Sequence, residues 1–131
     1  MCLGLKMTRI LLAEDETAMR EYLTRALEKS GYDVVAVDRG TEAVPLLESE
    51  HFDLLLTDIV MPEMDGIELA RHCSKVAPQT EVMFITGFSG VALRAGESMP
   101  NAKILSKPFH LRDLVLEVER LFAKESYGEL K

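Results

Sequence analysis

The stretch LLLTD at residues 54–58 decides the fold, because three consecutive leucines lead directly into a threonine and an aspartate. Such a run is apolar and continuous, whereas a strand with one solvent-exposed face would alternate apolar and polar residues. Four comparable apolar runs occur along the chain, at residues 10–13, 34–37, 82–85 and 104–105. We therefore predict five strands in a parallel sheet that is covered on both faces.

The segments between these runs have the spacing of amphipathic helices. In the first segment apolar side chains recur every three or four residues, and Gly31 follows where the helix should stop. The last segment repeats the pattern from Leu111 to Phe122, and a weaker helix is predicted over 66–76. We expect the second helix to begin or bend at Pro45, and the fourth to be short, mobile and followed by a long loop. Five alternations of strand and helix predict a doubly wound α/β fold.

Length and composition limit what the chain can be. Its 131 residues suit one domain, and 47% hydrophobic residues with 28% charged residues allow a buried core. A formal charge of −7 argues against binding to nucleic-acid phosphates, which depends on clustered cations. No apolar run approaches the roughly 18 residues that span a bilayer, and two cysteines offer no disulfide framework. We expect a cytoplasmic protein that binds neither nucleic acid nor membrane, with an N-terminal extension at 1–6 and a single domain at 7–131.

Acidic side chains follow two of the predicted strands at the point where each strand ends. Glu14, Asp15 and Glu16 follow the first strand, and Asp58 ends the third. The flavodoxin-like strand order 2-1-3-4-5 makes these two strands neighbours at the edge where ligands bind. Carboxylates brought together there repel one another unless a cation lies between them. Oxygen ligands without histidine or cysteine favour Mg²⁺ as that cation.

A hydroxyl and an amine join the same edge of the sheet. Thr86 ends the fourth strand, and Lys107 follows the fifth. Acids, a metal ion, a hydroxyl and a lysine can together bind a phosphoryl group, and an aspartate such as Asp58 can accept it covalently. Each residue alone has an ordinary explanation, as a helix cap, a strand residue or a solvated charge. Their joint placement favours a phosphoryl site.

The same motifs resemble the receiver domains of bacterial two-component response regulators. The matching stretches are ILLAEDE at 10–16, TDIVMPEMDG at 57–66, ITG at 85–87 and SKPF at 106–109, in the family's order and over residues 8 to about 124. The resemblance implies a CheY-like fold with five helices. It also implies that a histidine kinase or a histidine phosphotransferase donates a phosphoryl group to Asp58, in a Mg²⁺-dependent reaction that the receiver itself catalyses.

The resemblance further implies a role for each site residue. Asp58 is the phosphoacceptor, and Thr86 and Lys107 complete the catalytic set. The metal ligands that the family pattern implies are Glu14, Asp15, Asp58 and the backbone carbonyl of Val60. The pattern also implies a cis peptide bond between Lys107 and Pro108, which would aim the lysine at the phosphate.

Three positions depart from the family pattern. Glu14 stands where aspartate is commoner, although its longer side chain can still hold a metal. Ile104 stands where the family often has tyrosine or phenylalanine, so an aromatic rotamer switch is absent there. Thr86 is followed by Gly87-Phe88, which predicts a pliable loop above the site. None of these differences removes the phosphorylation chemistry.

The expected output is binding to another protein. The last helix should end near Lys124 and leave seven residues, too few for a DNA-binding or catalytic domain. The output face should therefore be formed by the fourth helix, the fifth strand and the fifth helix. The resemblance is fullest to a single-domain member of the family that acts in the bacterial cell cycle. It implies an adaptor that, when unphosphorylated, engages the ClpX unfoldase and primes the ClpXP protease.

Two other interpretations remain open. A phosphate shuttle within a phosphorelay would use Asp58 in the same way but would bind only its donor and acceptor proteins. An aspartate-based phosphatase of the dehalogenase type is disfavoured, because Val60 stands where its second acid would be and the chain has no glycine-rich phosphate loop. We therefore expect no enzymatic activity beyond self-catalysed phosphorylation and dephosphorylation.

Overall fold

Strands and helices alternate in the computed structural model, which describes residues 7–87, 89–107 and 109–130, and their side chains except those of 89–92 and 124–130. The strands are β1 (Arg9–Ala13), β2 (Asp33–Val37), β3 (Leu54–Asp58), β4 (Glu81–Thr86) and β5 (Lys103–Ser106). The helices are α1 (Thr17–Lys29), α2 (Gly40–Ser49), α3 (Gly66–Val76), α4 (Ser89–Ser98) and α5 (Leu111–Leu130). All neighbouring strands are parallel and their order is β2-β1-β3-β4-β5. The predicted doubly wound, CheY-like fold is confirmed.

Two apolar layers cover the sheet, because successive residues of a strand point to opposite faces. Leu12 and Leu56 pack with side chains of α1 and α5. Leu11 and Leu55 pack on the other face with α2, α3 and α4. Each of these leucines is fully buried and contributes roughly 2 kcal/mol to folding. The central strands β1, β3 and β4 are thus covered on both faces, as the sequence predicts, whereas the edge strands β2 and β5 are only partly buried.

Local signals set the ends of two helices. Gly31 follows α1 with a φ of +100°, a conformation that glycine adopts without steric strain. Asp65 caps α3, since its carboxylate accepts the Glu68 N–H at 2.9 Å while the Glu68 carboxylate accepts the Asp65 N–H at 3.3 Å. The reciprocal pair fixes the start of α3 at Gly66, the first residue of the predicted helix.

Of the two alternatives for α2, the one in which the helix begins at Pro45 is wrong, and the one in which it bends there stays a prediction. The helix begins at Gly40, and the proline lies inside it. A proline there removes the hydrogen bond that its own nitrogen would donate to residue 41, but leaves the rest of the helix intact. Ala43 and Leu47, on either side of the proline, are buried and anchor the helix to the sheet. Packing therefore outweighs the local cost of the proline.

Two expectations about the C-terminal helices are also wrong. Only residues 99–102 separate α4 from β5, so no long loop follows α4. The last helix does not end near Lys124 but continues to Leu130, and the added segment 125–130 contains no proline that would break it. The predicted mobility of α4 stays a prediction.

Three further predictions lie wholly or partly outside the described residues: the N-terminal extension at 1–6, the pliable loop at Gly87-Phe88 and the cis peptide bond at Pro108. Within the part of the chain that the structure describes, no helix combines the length and the apolar character that crossing a bilayer requires.

Candidate functional site

Asp58 is the last residue of β3, between β1 and β4, with an exposed fraction of 7%. Its Oδ1 accepts the backbone N–H of Val60 at 3.3 Å, and its Oδ2 accepts a hydrogen bond from Lys107 Nζ at 3.1 Å. Gly66 packs closely against the same residue, because a Cβ there would lie 2.2 Å from the Asp58 carbonyl oxygen. The sheet, the lysine and the start of α3 thus fix the position of the Asp58 carboxylate.

Three carboxylates meet at the carboxyl ends of β1 and β3. Glu14, Asp15 and Asp58 each bring one oxygen to within 4.8 Å of the others. Glu14 is buried and Asp15 is exposed. Glu14 Oε2 accepts the backbone N–H of Glu16 at 3.2 Å, but the buried Oε1 has no hydrogen-bond partner among the described residues. A buried acceptor without a partner is costly, so this oxygen calls for a ligand.

The charges of the site do not balance. Burial and the neighbouring charge of Asp58 raise the pKa of Glu14 to about 7. Lys107 compensates the negative charge of Glu14 only in part, because its Nζ lies 3.6 Å from Glu14 Oε1 and donates its hydrogen bond to Asp58 instead. Burial alone would lower the pKa of Lys107, but the hydrogen bond and charge of Asp58, with the charge of Glu14, raise it. The lysine therefore stays charged, and one ammonium faces three carboxyl groups.

This donor set fits a divalent metal ion. A cation would satisfy the unpartnered oxygen of Glu14, and Asp15 and Asp58 offer two further carboxylates within reach. Mg²⁺ takes carboxylate oxygens and keeps several waters, which the exposed position of Asp15 allows. Val60 follows in the loop beside Asp58, and the role of its carbonyl as a ligand stays a prediction.

Thr86 and Lys107 border the site on the side of β4 and β5. Thr86 is buried at the end of β4 and directly follows Ile85, which pairs with Asp58 across the two strands. Lys107 follows β5, and its backbone N–H donates to the Thr86 carbonyl at 2.7 Å. The sequence-based expectation that these residues share one edge of the sheet is therefore matched by their positions, whereas their roles stay predictions.

Two contacts at the site are not apparent from the sequence. Arg20, in the first turn of α1, donates from Nη1 to the Glu14 carbonyl at 3.0 Å and so fixes the turn between β1 and α1. Its spacing alone does not distinguish it from an ordinary surface arginine. Gly66 is essential for packing beside Asp58, and a glycine directly after the helix cap Asp65 is the sequence signal that could have revealed it.

Comparison with known proteins agrees with this geometry. The chain matches the family described as "Response regulator receiver domain" over residues 10–119. It is 59% identical over 116 residues to the response regulator receiver protein CpdR of Brucella abortus (strain 2308), which covers 88% of this chain and 97% of CpdR. It is 36% identical over 121 residues to the sensor kinase CckA of the same organism, which covers 88% of this chain but 13% of the kinase.

A solved structure shares the whole fold. The CheY-like response regulator receiver domain protein from Methanospirillum hungatei JF-1 has a TM-score of 0.82 and 30% identity, covering 94% of this chain and 99% of that protein. The family match therefore extends from sequence to fold. This chain belongs to the response regulator receiver family.

Proposed function

We propose that this chain is a single-domain response regulator that accepts a phosphoryl group on Asp58 from a histidine kinase or a histidine phosphotransferase, with Mg²⁺ as cofactor. One observation carries the proposal: the Asp58 carboxylate lies 3.1 Å from Lys107 Nζ and in one cluster with Glu14 and Asp15. Single acids at strand ends are common. A nearly buried acid flanked by a lysine and two further carboxylates is much less common, and it supports phosphoryl transfer because it can bind a cation and a phosphoryl group together.

The transfer requires an oxygen of Asp58 to reach the phosphorus of a phosphohistidine. An O–P bond forms on Asp58 while the N–P bond of the donor breaks, and the bonding electron pair stays with the histidine nitrogen. Lys107 can then turn from the carboxylate to a phosphoryl oxygen. Bound Mg²⁺, held by Glu14, Asp15, Asp58 and the Val60 carbonyl, would neutralise charge on the phosphoryl oxygens.

The ends of β4 and β5 carry the proposed signal to the surface. Phosphorylation adds negative charge and new acceptor oxygens, which the Thr86 hydroxyl and the Lys107 ammonium can bind. The hydrogen bond between the Lys107 N–H and the Thr86 carbonyl couples the two residues. The proposed output face consists of α4, β5 and α5, where Leu93 offers a partner a side chain that is 72% exposed.

The proposed partner of that face is the ClpX unfoldase. The proposal is supported by the extensive similarity to CpdR and by the adaptor role that the family resemblance implies. The unphosphorylated chain binds ClpX and primes ClpXP, and phosphorylation reduces binding by favouring a different surface. The protein then acts in the cytoplasm through the surface of its receiver domain, residues 7–131, with residues 1–6 as an extension. Its charge of −7 disfavours a nucleic-acid partner.

Labelling with acetyl phosphate tests the chemical part of the proposal. We expect one acid-labile phosphate per chain in the presence of Mg²⁺, none after chelation of the metal, and none in Asp58→Asn. Asp113→Asn is the matched control, because it removes an exposed acid from α5. Labelling of the Asp58→Asn protein at the wild-type level would show that Asp58 is not the phosphoacceptor.

A phosphate shuttle within a phosphorelay is the second candidate, and the similarity to the sensor kinase CckA favours it. Binding to purified ClpX separates the two. If the chain is an adaptor, the wild-type and Asp58→Ala proteins should both bind ClpX, and beryllofluoride should release ClpX from the wild-type protein. A shuttle retains no ClpX under either condition.

A further inference from the structure

The turn at Glu63 is unusual in the part of the chain that the structure describes, because Glu63 is the only residue there other than glycine with a positive φ, +70°. The Met64 N–H donates to the Pro62 carbonyl at 2.8 Å and closes a three-residue turn around Glu63. A residue with a Cβ is strained in this conformation, whereas glycine is not. A glutamate at this position therefore needs contacts elsewhere that hold it there.

The Glu63 carboxylate makes such contacts with the start of α2. Its Oε1 accepts the Thr41 hydroxyl at 3.3 Å and lies 3.8 Å from Arg39 Nη1. Arg39 is oriented in turn by Asp38, whose Oδ1 accepts from Arg39 Nε at 3.1 Å. Each contact is exposed and weak by itself, but both converge on one carboxylate oxygen.

The same turn is also held by close backbone packing. A Cβ on Gly40, the first residue of α2, would lie 3.0 Å from the Met64 carbonyl oxygen. At the other end of the loop, the Gly66 N–H donates to the Ile59 carbonyl at 2.8 Å. The loop at 59–65 is thus fastened at its base by Gly66 and at its tip by Glu63.

We infer that Glu63 is a positioning residue for the metal site, because its contacts with Thr41 and Arg39 hold the loop that carries Val60. The Val60 N–H donates to Asp58 Oδ1 at 3.3 Å, so a displacement of the loop changes the surroundings of the Asp58 carboxylate. The inference rests on the proposed Mg²⁺-dependent function. It adds that the start of α2, which contributes no ligand of its own, sets the geometry of the loop.

Amide hydrogen exchange of the metal-free protein and calorimetric titration with Mg²⁺ test the inference on the full chain. Glu63→Ala and Thr41→Val should speed exchange at the Met64 and Gly66 amides several-fold. The same variants should weaken Mg²⁺ binding about threefold to tenfold. This loss is smaller than the 10–100-fold loss that is usual when a residue that hydrogen-bonds a metal ligand directly is removed. Glu28→Ala removes an exposed acid near the far end of α1, and should change neither quantity.

A second variant separates the strain from the positioning. A glycine at position 63 fits the positive φ but has no side chain to reach Thr41. The Glu63→Gly protein should therefore bind Mg²⁺ as weakly as the Glu63→Ala protein, but it should unfold at a higher temperature than the Glu63→Ala protein. Wild-type Mg²⁺ affinity in both Glu63→Ala and Thr41→Val would overturn the inference and leave acetyl phosphate labelling, and so the proposed function, intact. Weaker binding with unchanged amide exchange would also overturn it. Absence of saturable Mg²⁺ binding to the wild type would overturn both the inference and the metal dependence.

Discussion

The two ends of the sheet differ in how their charges are balanced. At the amino ends of the strands, Arg9 is surrounded by acceptors. Its Nε contacts Asp33 at 3.1 Å, its Nη2 contacts Glu50 at 3.0 Å and its Nη1 donates to the His51 carbonyl at 3.0 Å. The guanidinium also lies 4.6 Å from the centroid of the Phe52 ring. The donors of this arginine are thus satisfied by the chain itself.

At the carboxyl ends of the strands the balance is reversed. Glu14, Asp15 and Asp58 form one cluster, the ammonium of Lys107 pairs with Glu14 and Asp58, and Glu14 Oε1 has no hydrogen-bond partner in the described structure. At one end of the sheet the charged side chains are therefore paired within the chain, and at the other end a buried carboxylate oxygen can accept a ligand. The comparison teaches that an imbalance of buried charge, rather than the number of charged residues, distinguishes the end of the sheet that we propose to be functional.

Two glycines give the largest expected contrast between these ends. Gly66→Ala should cost about 3 kcal/mol of unfolding free energy and abolish Mg²⁺ binding, because the new Cβ meets the Asp58 backbone. Gly31→Ala, at the amino end, has no atom within 4 Å of its Cβ and should cost only about 1 kcal/mol for its positive φ, with Mg²⁺ affinity unchanged. Urea unfolding and Mg²⁺ titration measure both. Equal losses in the two variants would contradict the contrast.

The pH dependence of stability reports the protonation of the buried carboxyl group of Glu14. Its pKa is 4.5 in the unfolded reference and about 7 in the folded protein, so between these values the folded state binds more protons. Stability of the metal-free protein should therefore fall as pH rises from 4.5 to 7, by about 2–3 kcal/mol. Urea unfolding of wild type and Glu14→Gln across this range measures the difference. An equally steep fall in Glu14→Gln would show that another group is responsible.

Removal of the amino-end arginine should have a smaller effect that is confined to stability. Arg9→Met loses the contacts to Asp33, Glu50 and the His51 carbonyl, at a cost of about 1–2 kcal/mol because the contacts are partly exposed. Thermal unfolding checks the loss, and Mg²⁺ titration should give the wild-type affinity. A weakened Mg²⁺ affinity in this variant would show that the two ends are coupled.

The smallest change in stability is expected at the carboxyl end. Lys107→Ala should lower the unfolding free energy by only about 1 kcal/mol, because the loss of its ion pairs with the nearly buried Asp58 and Glu14 is offset when Glu14, whose pKa is already about 7, takes up a proton. Acetyl phosphate should still label Asp58 in part, but beryllofluoride should no longer change the binding of ClpX. If ClpX binding in the variant keeps its wild-type sensitivity to beryllofluoride, Lys107 does not transmit the signal.

The sequence predicts the fold well because its main signals are local. Continuous apolar runs such as 54–56 fix the strands, and strand ends bring Glu14, Asp58 and Lys107 to one edge. Pro45 misleads because tertiary packing overrides its local preference. The unpartnered oxygen of Glu14 could not be predicted, because it depends on burial from several elements at once.

Direct identification of the phosphorylated residue tests the central claim, that the carboxyl end of the sheet makes Asp58 a phosphoacceptor. Borohydride reduction after acetyl phosphate treatment converts an acyl phosphate to a stable alcohol that peptide mass spectrometry can locate. We predict the modification at Asp58 alone, and only when Mg²⁺ is present. Modification at another acid, or labelling that is indifferent to Mg²⁺, would contradict the claim.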